Sequence, residues 1–317
     1  RPVETPTVQR PVDKIGLLLM VIWIGCLQIM LDTGAEHDWF ADPTVLALGI
    51  AALVFLIVFV IWELTEEHPI VDIRIFRYSS FTIGVTIFAL GFGTYFAGIV
   101  VIPQWMQISL GYTATQAGTV TAMTATMGLF VARLAPRLGA RYDPRLVLSC
   151  GLFWVGCCTL IRTDWTSGAD IFTLMLPQLM MGMGMPFFFV TANAMAMNAV
   201  PPHELASAAG LQNFTRTMAV AIATSISVAY WNNQARVAGS ELASKLNYDS
   251  TSATLATSGF SADQIRMVIA QLVDREALTL ATDKMFLIAG LLIWAVAAWV
   301  WMSPRPKRLI GAGARGR

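Results

Sequence analysis

From Tyr78 to Ala132 the chain runs for 55 residues without a single charged side chain. A helix crosses a hydrocarbon core about 30 Å thick in about 20 residues, so this run is two crossings and a turn. The turn is expected between Pro103 and Gly118. Similar runs recur at Ile15 to Leu31, Pro43 to Trp62, Leu146 to Ile161, Ile171 to Pro202, Leu205 to Ala235 (interrupted by Arg216) and Met285 to Pro304. The fold class that follows is an all-α integral membrane protein with eight spans.

Composition narrows the function. Charged residues make up 13% of the chain and the formal net charge is +1, which argues against a nucleic-acid binder with its basic stripe. Cys26, Cys150, Cys157 and Cys158 all fall inside apolar runs without C-x-x-C spacing, so neither a disulfide nor a metal site is expected. His37, His68 and His203 read as solvated loop residues. A membrane enzyme would need a cluster of His, Asp or Cys at the membrane face, and the sequence has none to offer.

Orientation follows from the basic residues. With the N-terminus inside, the inner segments hold fourteen of the 21 Lys and Arg, and the outer ones hold Arg162, Arg236, Lys245, Arg266, Arg275 and Lys284. Both termini are therefore expected in the cytoplasm. The chain opens on a polar, Pro-rich stretch without a signal peptide, and reads as the middle of something longer.

The expected organisation is a cytoplasmic linker at 1–14, a pair of spans at 15–62, a charged connector at 63–80, a six-helix unit at 81–303 with an outer insert at 232–284, and a tail at 304–317. In the insert, Asn247 to Gly259 reads as a mobile Ser/Thr-rich stretch. Ser261 and Gln264 then form a capping box, followed by a helix with Ile265, Val268, Ile269, Leu272 and Val273 on one face, too charged to cross and expected to lie over the outer mouth or to dock a partner.

Three segments stand out as candidates. Arg133, Arg137, Arg141 and Arg145 recur every fourth residue, which suits either topology determination beside anionic lipid or gating by pairing with acids. In Pro177 to Pro202, Gly182, Gly184 and Pro186 weaken the backbone amid Met180, Met181, Met183 and Met185, which fits either a break at a binding site or close helix packing. Arg216 lies twelve residues past Glu204, close to mid-membrane, where an arginine costs at least ~2.5 kcal/mol and is expected to face the bundle interior or a wet cavity with polar partners such as Asn213, Thr215 and Thr217, in either a functional or a structural hydrogen-bonding role. No other charge is expected deep in the six-span unit.

The loop LDTGAEHDWF, the segment WELTEEHPIVDIRIFRYSSFTIG, the turn GYTATQAG and the span LQNFTRTMAVAIATS together resemble the EmrB-type multidrug exporters, the fourteen-span branch of drug:proton antiporters in the major facilitator superfamily. The resemblance runs from about Val12 to Met302. It implies that the first two spans are the family's linker spans, and that Phe81 to Met302 is the C-terminal half, with substrate held near the midplane between halves. By that pattern the cavity is lined from this half by Gln104, Trp105, Gln178, Met181, Met185, Phe188, Asn193, Asn213 and Arg216. The resemblance also implies hydrophobic small-molecule substrates, lipid surroundings in the bacterial inner membrane, a periplasmic membrane-fusion adaptor and an outer-membrane channel as partners, and no cofactor beyond the proton gradient. The coupling acid belongs to the half not represented here. The expected function is proton-coupled efflux of hydrophobic or amphipathic compounds. The alternatives are transport of a defined metabolite such as a fatty acid or siderophore, and an inactive or truncated half-transporter.

Overall fold

The structure, a computed structural model, describes residues 13–34, 39–67, 69–246, 248, 251–252, 257 and 260–303. His37, His68, the terminal tails and most of 247–259 lie outside the described residues, and with them the expectations placed there. The helices are α1 (Lys14–Gly34), α2 (Pro43–Thr65), α3 (Ser79–Ser109), α4 (Ala114–Val131), α5 (Leu134–Arg141), α6 (Pro144–Ile161), α7 (Ile171–Met197), α8 (Leu205–Lys245) and α9 (Ala262–Trp299). By length and composition α1, α2, α3, α6, α7 and α9 can each cross a membrane, and α4 with α5, bent by 53°, makes a seventh. α8 has the length, at 41 residues, but Gln212, Asn213 and Arg216 leave it too polar to pass on composition. The protein is a multi-pass membrane protein.

The described chain divides into two units, 1–79 with 200–215, and 80–199 with 216–317. In the first, α1 and α2 form an antiparallel hairpin. Asp42 starts α2 by accepting from the amides of Thr44 and Val45, with Pro43 beside it at the first helical position. The outward side chains Ile15, Leu18, Val21, Ile50, Leu53, Val54, Ile57 and Ile61 are exposed, the pattern of a surface solvated by acyl chains rather than water. The connector ends in a 3-10 turn, Ile73–Arg77, and Arg77 pairs with Glu204 at 2.6 Å.

In the second unit, α7 packs between α4 and α6, and α9 packs on α6. One core cluster gathers Ile87 and Phe88 of α3, Leu148, Leu152 and Val155 of α6, Met185 and Phe188 of α7, and Ile293 and Val296 of α9. A second joins Trp105, Trp165, Leu174, Trp231 and Phe286. The glycines of α7 serve packing, and no break occurs: the helix is continuous through Pro186. A Cβ on Gly182 would clash with the Thr124 carbonyl oxygen of α4, and one on Gly184 would lie 3.0 Å from the Gly151 carbonyl oxygen of α6. Small residues here let backbones touch on both flanks.

Two sequence expectations change. The turn between the third and fourth helices occupies only 110–113, because Pro103 is accommodated inside α3. Gly111 at φ +70° reverses the chain, and Thr113 with Gln116 forms a capping box that starts α4. The outer insert is not a separate helix lying across the mouth. Its Ser261–Gln264 capping box is present, but the helix it starts continues unbroken into the last span, and α8 likewise runs on to Lys245. Charge prevents a helix from crossing hydrocarbon, not from continuing beyond it.

Candidate functional site

The second unit carries an aromatic cluster on two helices. Phe88, Phe92, Tyr95 and Phe96 recur at helical spacing on α3, so they share a face, and α7 supplies Phe188 and Phe189. Phe92 stacks on Phe96 with centroids 4.9 Å apart and meets Phe189 at 4.7 Å, while Tyr95 meets Phe189 edge-on at 6.1 Å. Phe88 and Phe188 are buried at the base; Phe92, Tyr95, Phe96 and Phe189 are half-exposed above them.

Arg216 of α8 closes this cluster with a charge. Its guanidinium carbon lies 5.2 Å from the Phe92 ring centroid, a cation–π distance. Gly93 makes the approach possible, since a Cβ there would lie 2.9 Å from the Ala219 carbonyl oxygen. Arg216 is half-buried, so cation and ring present a mixed face, apolar with one positive pole, to whatever occupies the space beside it.

Arg162 contrasts with it. Placed by the sequence in an outer segment, it is 3% exposed at the end of α6, and so overturns the expectation that Arg216 is the one deep charge. It donates to Gln178 Oε1 at 2.6 Å, contacts Met181 Sδ at 3.0 Å, and lies 5.8 and 5.5 Å from the ring centroids of Trp165 and Phe286. Thr124 of α4 donates to the same Gln178 oxygen at 3.0 Å. One amide oxygen therefore ties α4, α6 and α7 together. Among the described residues no carboxylate pairs with Arg162.

The nine cavity candidates separate accordingly. Trp105, Gln178, Met181, Met185 and Phe188 are buried in the unit's own packing rather than lining an open wall, because α3, α6, α7 and α9 close over them. Trp105, for instance, donates to Thr279 Oγ1 at 3.1 Å and stacks on Trp165 at 5.6 Å. Gln104 and Asn193 are exposed on α3 and α7; Asn213 is exposed on the part of α8 that belongs to the first unit. Arg216 and, at the buried base, Phe188 join the aromatic cluster, and the sequence reading missed Phe92, Tyr95, Phe96 and Phe189. The phenylalanine and tyrosine spacing on α3 was the signal that could have found them. Of the arginine series, Arg133, Arg137 and Arg141 are exposed around α5. Arg145, expected on the surface, is buried in the first turn of α6, with Nε and one terminal nitrogen lacking partners.

An all-α unit of this kind, with long apolar helices packed through small residues around a half-exposed cation and aromatic face, has the makings of a membrane transporter. The chain matches the Major Facilitator Superfamily over residues 15–224 and belongs to that family. It is 32% identical to Multidrug export protein EmrB of Escherichia coli over 99% of this chain and 62% of that protein. It is 31% identical to Fatty acid resistance protein FarB of Neisseria gonorrhoeae over 98% of this chain and 62% of that one, and 30% identical to the EmrB of Haemophilus influenzae over 96% and 61%. The chain thus spans about three fifths of the length of these curated relatives.

Proposed function

We propose that this chain is the C-terminal portion of an exporter of hydrophobic and amphipathic compounds, working by alternating access with proton antiport. The observation that carries the reading is Arg216 over Phe92 within the half-exposed cluster of Tyr95, Phe96 and Phe189. Aromatic faces accept many apolar shapes, and one fixed cation orients those that carry a polar end. The likeness to a protein named for multidrug export supports it. In this reading α1 and α2 are linker helices, both termini face the cytoplasm of a bacterial inner membrane, and the exposed Arg133, Arg137 and Arg141 sit against anionic lipid on that side. A periplasmic adaptor and an outer-membrane channel complete the route, and the α8–α9 extension is the docking element.

The test is efflux of a fluorescent hydrophobic dye from cells making the whole protein, with and without collapse of the proton gradient. Wild-type export that stops on collapse, and that falls about tenfold in Arg216→Ala at equal expression, supports the reading. Export indifferent to both rejects it. A second reading, export of long-chain fatty acids, is favoured by the 31% identity to a protein named for fatty acid resistance. It predicts protection against fatty acids with no effect on neutral dyes.

A further inference from the structure

The first unit buries an acid that the transport reading does not use. Glu63, in the last turn of α2, is fully buried. Its Oε2 accepts from the Val71 amide at 3.2 Å, whereas Oε1 is buried and has no hydrogen-bond partner. Across from it stands Asp13, ahead of α1. A Cβ on Gly16 would lie 3.0 Å from Glu63 Oε1 and would run into Asp13 Oδ2, so the two carboxyl groups flank one bare Cα. Glycine is what leaves room between them.

The two acids have unequal surroundings. Asp13 Oδ1 accepts from the amides of Ile15 at 3.0 Å and Gly16 at 2.9 Å, and its Oδ2 accepts from the Trp62 indole at 2.8 Å. Both oxygens of Asp13 therefore have donors. Among the described residues Glu63 has one donor, the Val71 amide. The other charged groups around it are Glu66 at the end of α2 and Asp72 on the connector, both acidic. Lys14 is exposed, and Arg74 is committed to the carbonyl oxygens of Leu64 at 2.7 Å and Glu66 at 3.2 Å. Among the described residues the charged neighbours of this buried carboxylate are acids, an arrangement that like-charge repulsion and desolvation both oppose and that one proton relieves.

We propose that Asp13 and Glu63 hold a single proton between them, and that this shared-proton site latches the connector 66–78 onto the α1–α2 hairpin. The proton sits on Glu63 Oε1 and is donated toward the Asp13 carboxylate, which gives the orphaned oxygen its partner. Glu63 Oε2 then keeps the Val71 amide, and Val71 and Ile75 stay buried beneath the connector. Loss of the proton leaves two facing anions, and the connector is what can move away. The proposal concerns the hairpin alone and stands whether or not the protein exports drugs.

The experiment uses the whole chain in lipid nanodiscs, in a His68→Gln background so that imidazole titration does not contribute. Infrared spectroscopy follows the carbonyl stretch of a protonated carboxyl, and hydrogen exchange, corrected for intrinsic rates, follows the connector amides. In the parent, the band is present at neutral pH and disappears as pH rises, with connector exchange accelerating about tenfold over the same range. In Glu63→Gln, which mimics the protonated acid, the component of the band that titrates with the connector is lost and exchange does not respond to pH. In Asp13→Asn the midpoint falls by about one pH unit, because the facing charge is gone. A band identical in Glu63→Gln and parent, or connector exchange with the same pH profile in parent and variant, overturns the proposal. Where Glu63→Gln does not fold, an unmoved midpoint in Asp13→Asn overturns it.

Discussion

Arg162 and Arg216 both lie against aromatic rings in the second unit, and they are enclosed to different degrees. Arg162 is enclosed by Gln178, Met181, Trp165 and Phe286 and joins three helices. Arg216 lies over the Phe92 ring and is only partly buried. A fully enclosed cation can only fasten its own protein; one that is partly exposed can also meet something else. Depth alone, the criterion available from sequence, does not tell the two apart.

The comparison is tested hardest at Arg162. Arg162→Ala leaves a cavity and strips Gln178 of its charged donor, and is expected to lower stability by about 3 kcal/mol in reversible unfolding from detergent. Arg162→Met, which fills the volume with an apolar chain, is expected to recover most of that. If Met fares no better than Ala, the charge itself is needed, and Arg162 moves to the functional side of the comparison.

A smaller effect is expected at the aromatic partner of the other arginine. Phe92→Leu retains apolar bulk but removes the π face, and should reduce dye export about threefold, or about 0.7 kcal/mol, with unfolding stability shifted by less than about 1 kcal/mol. A drop in stability matching that of Arg162→Ala would mean that both arginines are structural.

The smallest effect concerns the helix that serves both sites. Asp170 caps α7, accepting from the Thr173 hydroxyl and, at 3.3 Å, from its amide; the hydroxyl contact first and the amide bonds after it hold this carboxyl below the usual range. A lowered carboxyl contributes stability that is fully present above its unfolded pKa and is lost as pH falls through its folded one. Amides at 171–174 should therefore exchange faster, after intrinsic correction, as pH drops below about 4, and Asp170→Ala should remove that acid dependence. The same profile in both proteins would show that the cap does not hold the start of α7.

Much of the fold was legible because hydrocarbon imposes a simple rule: uncharged runs mark helices, and caps such as Ser261 with Gln264 mark where they start. What escaped was long-range. Arg162 and Arg145 end apolar runs, where an arginine ordinarily reaches out to water, and only the packing of α3, α7 and α9 reveals them as enclosed. The site was half legible. Arg216 declared itself by depth, yet the rings beside it depend on which face of α3 meets α7, and a uniformly apolar helix does not advertise its faces. The burial of Trp105 and Phe188 was hidden for the same reason.

α8 and α9 pair antiparallel well past the residues a bilayer needs. At 1.5 Å per residue, 41 and 38 residues extend about 60 Å, against a hydrocarbon core of about 30 Å. They are pinned partway along, where the Trp231 indole donates to Thr282 Oγ1 at 2.9 Å and Lys284 donates to Gln234 Oε1 at 3.2 Å. From Trp231 the helix reaches about 22 Å back to Arg216 and about 21 Å out to Lys245. α8 is thus one unbroken rod on which Arg216 and Lys245 stand at nearly equal distances on either side of the pin.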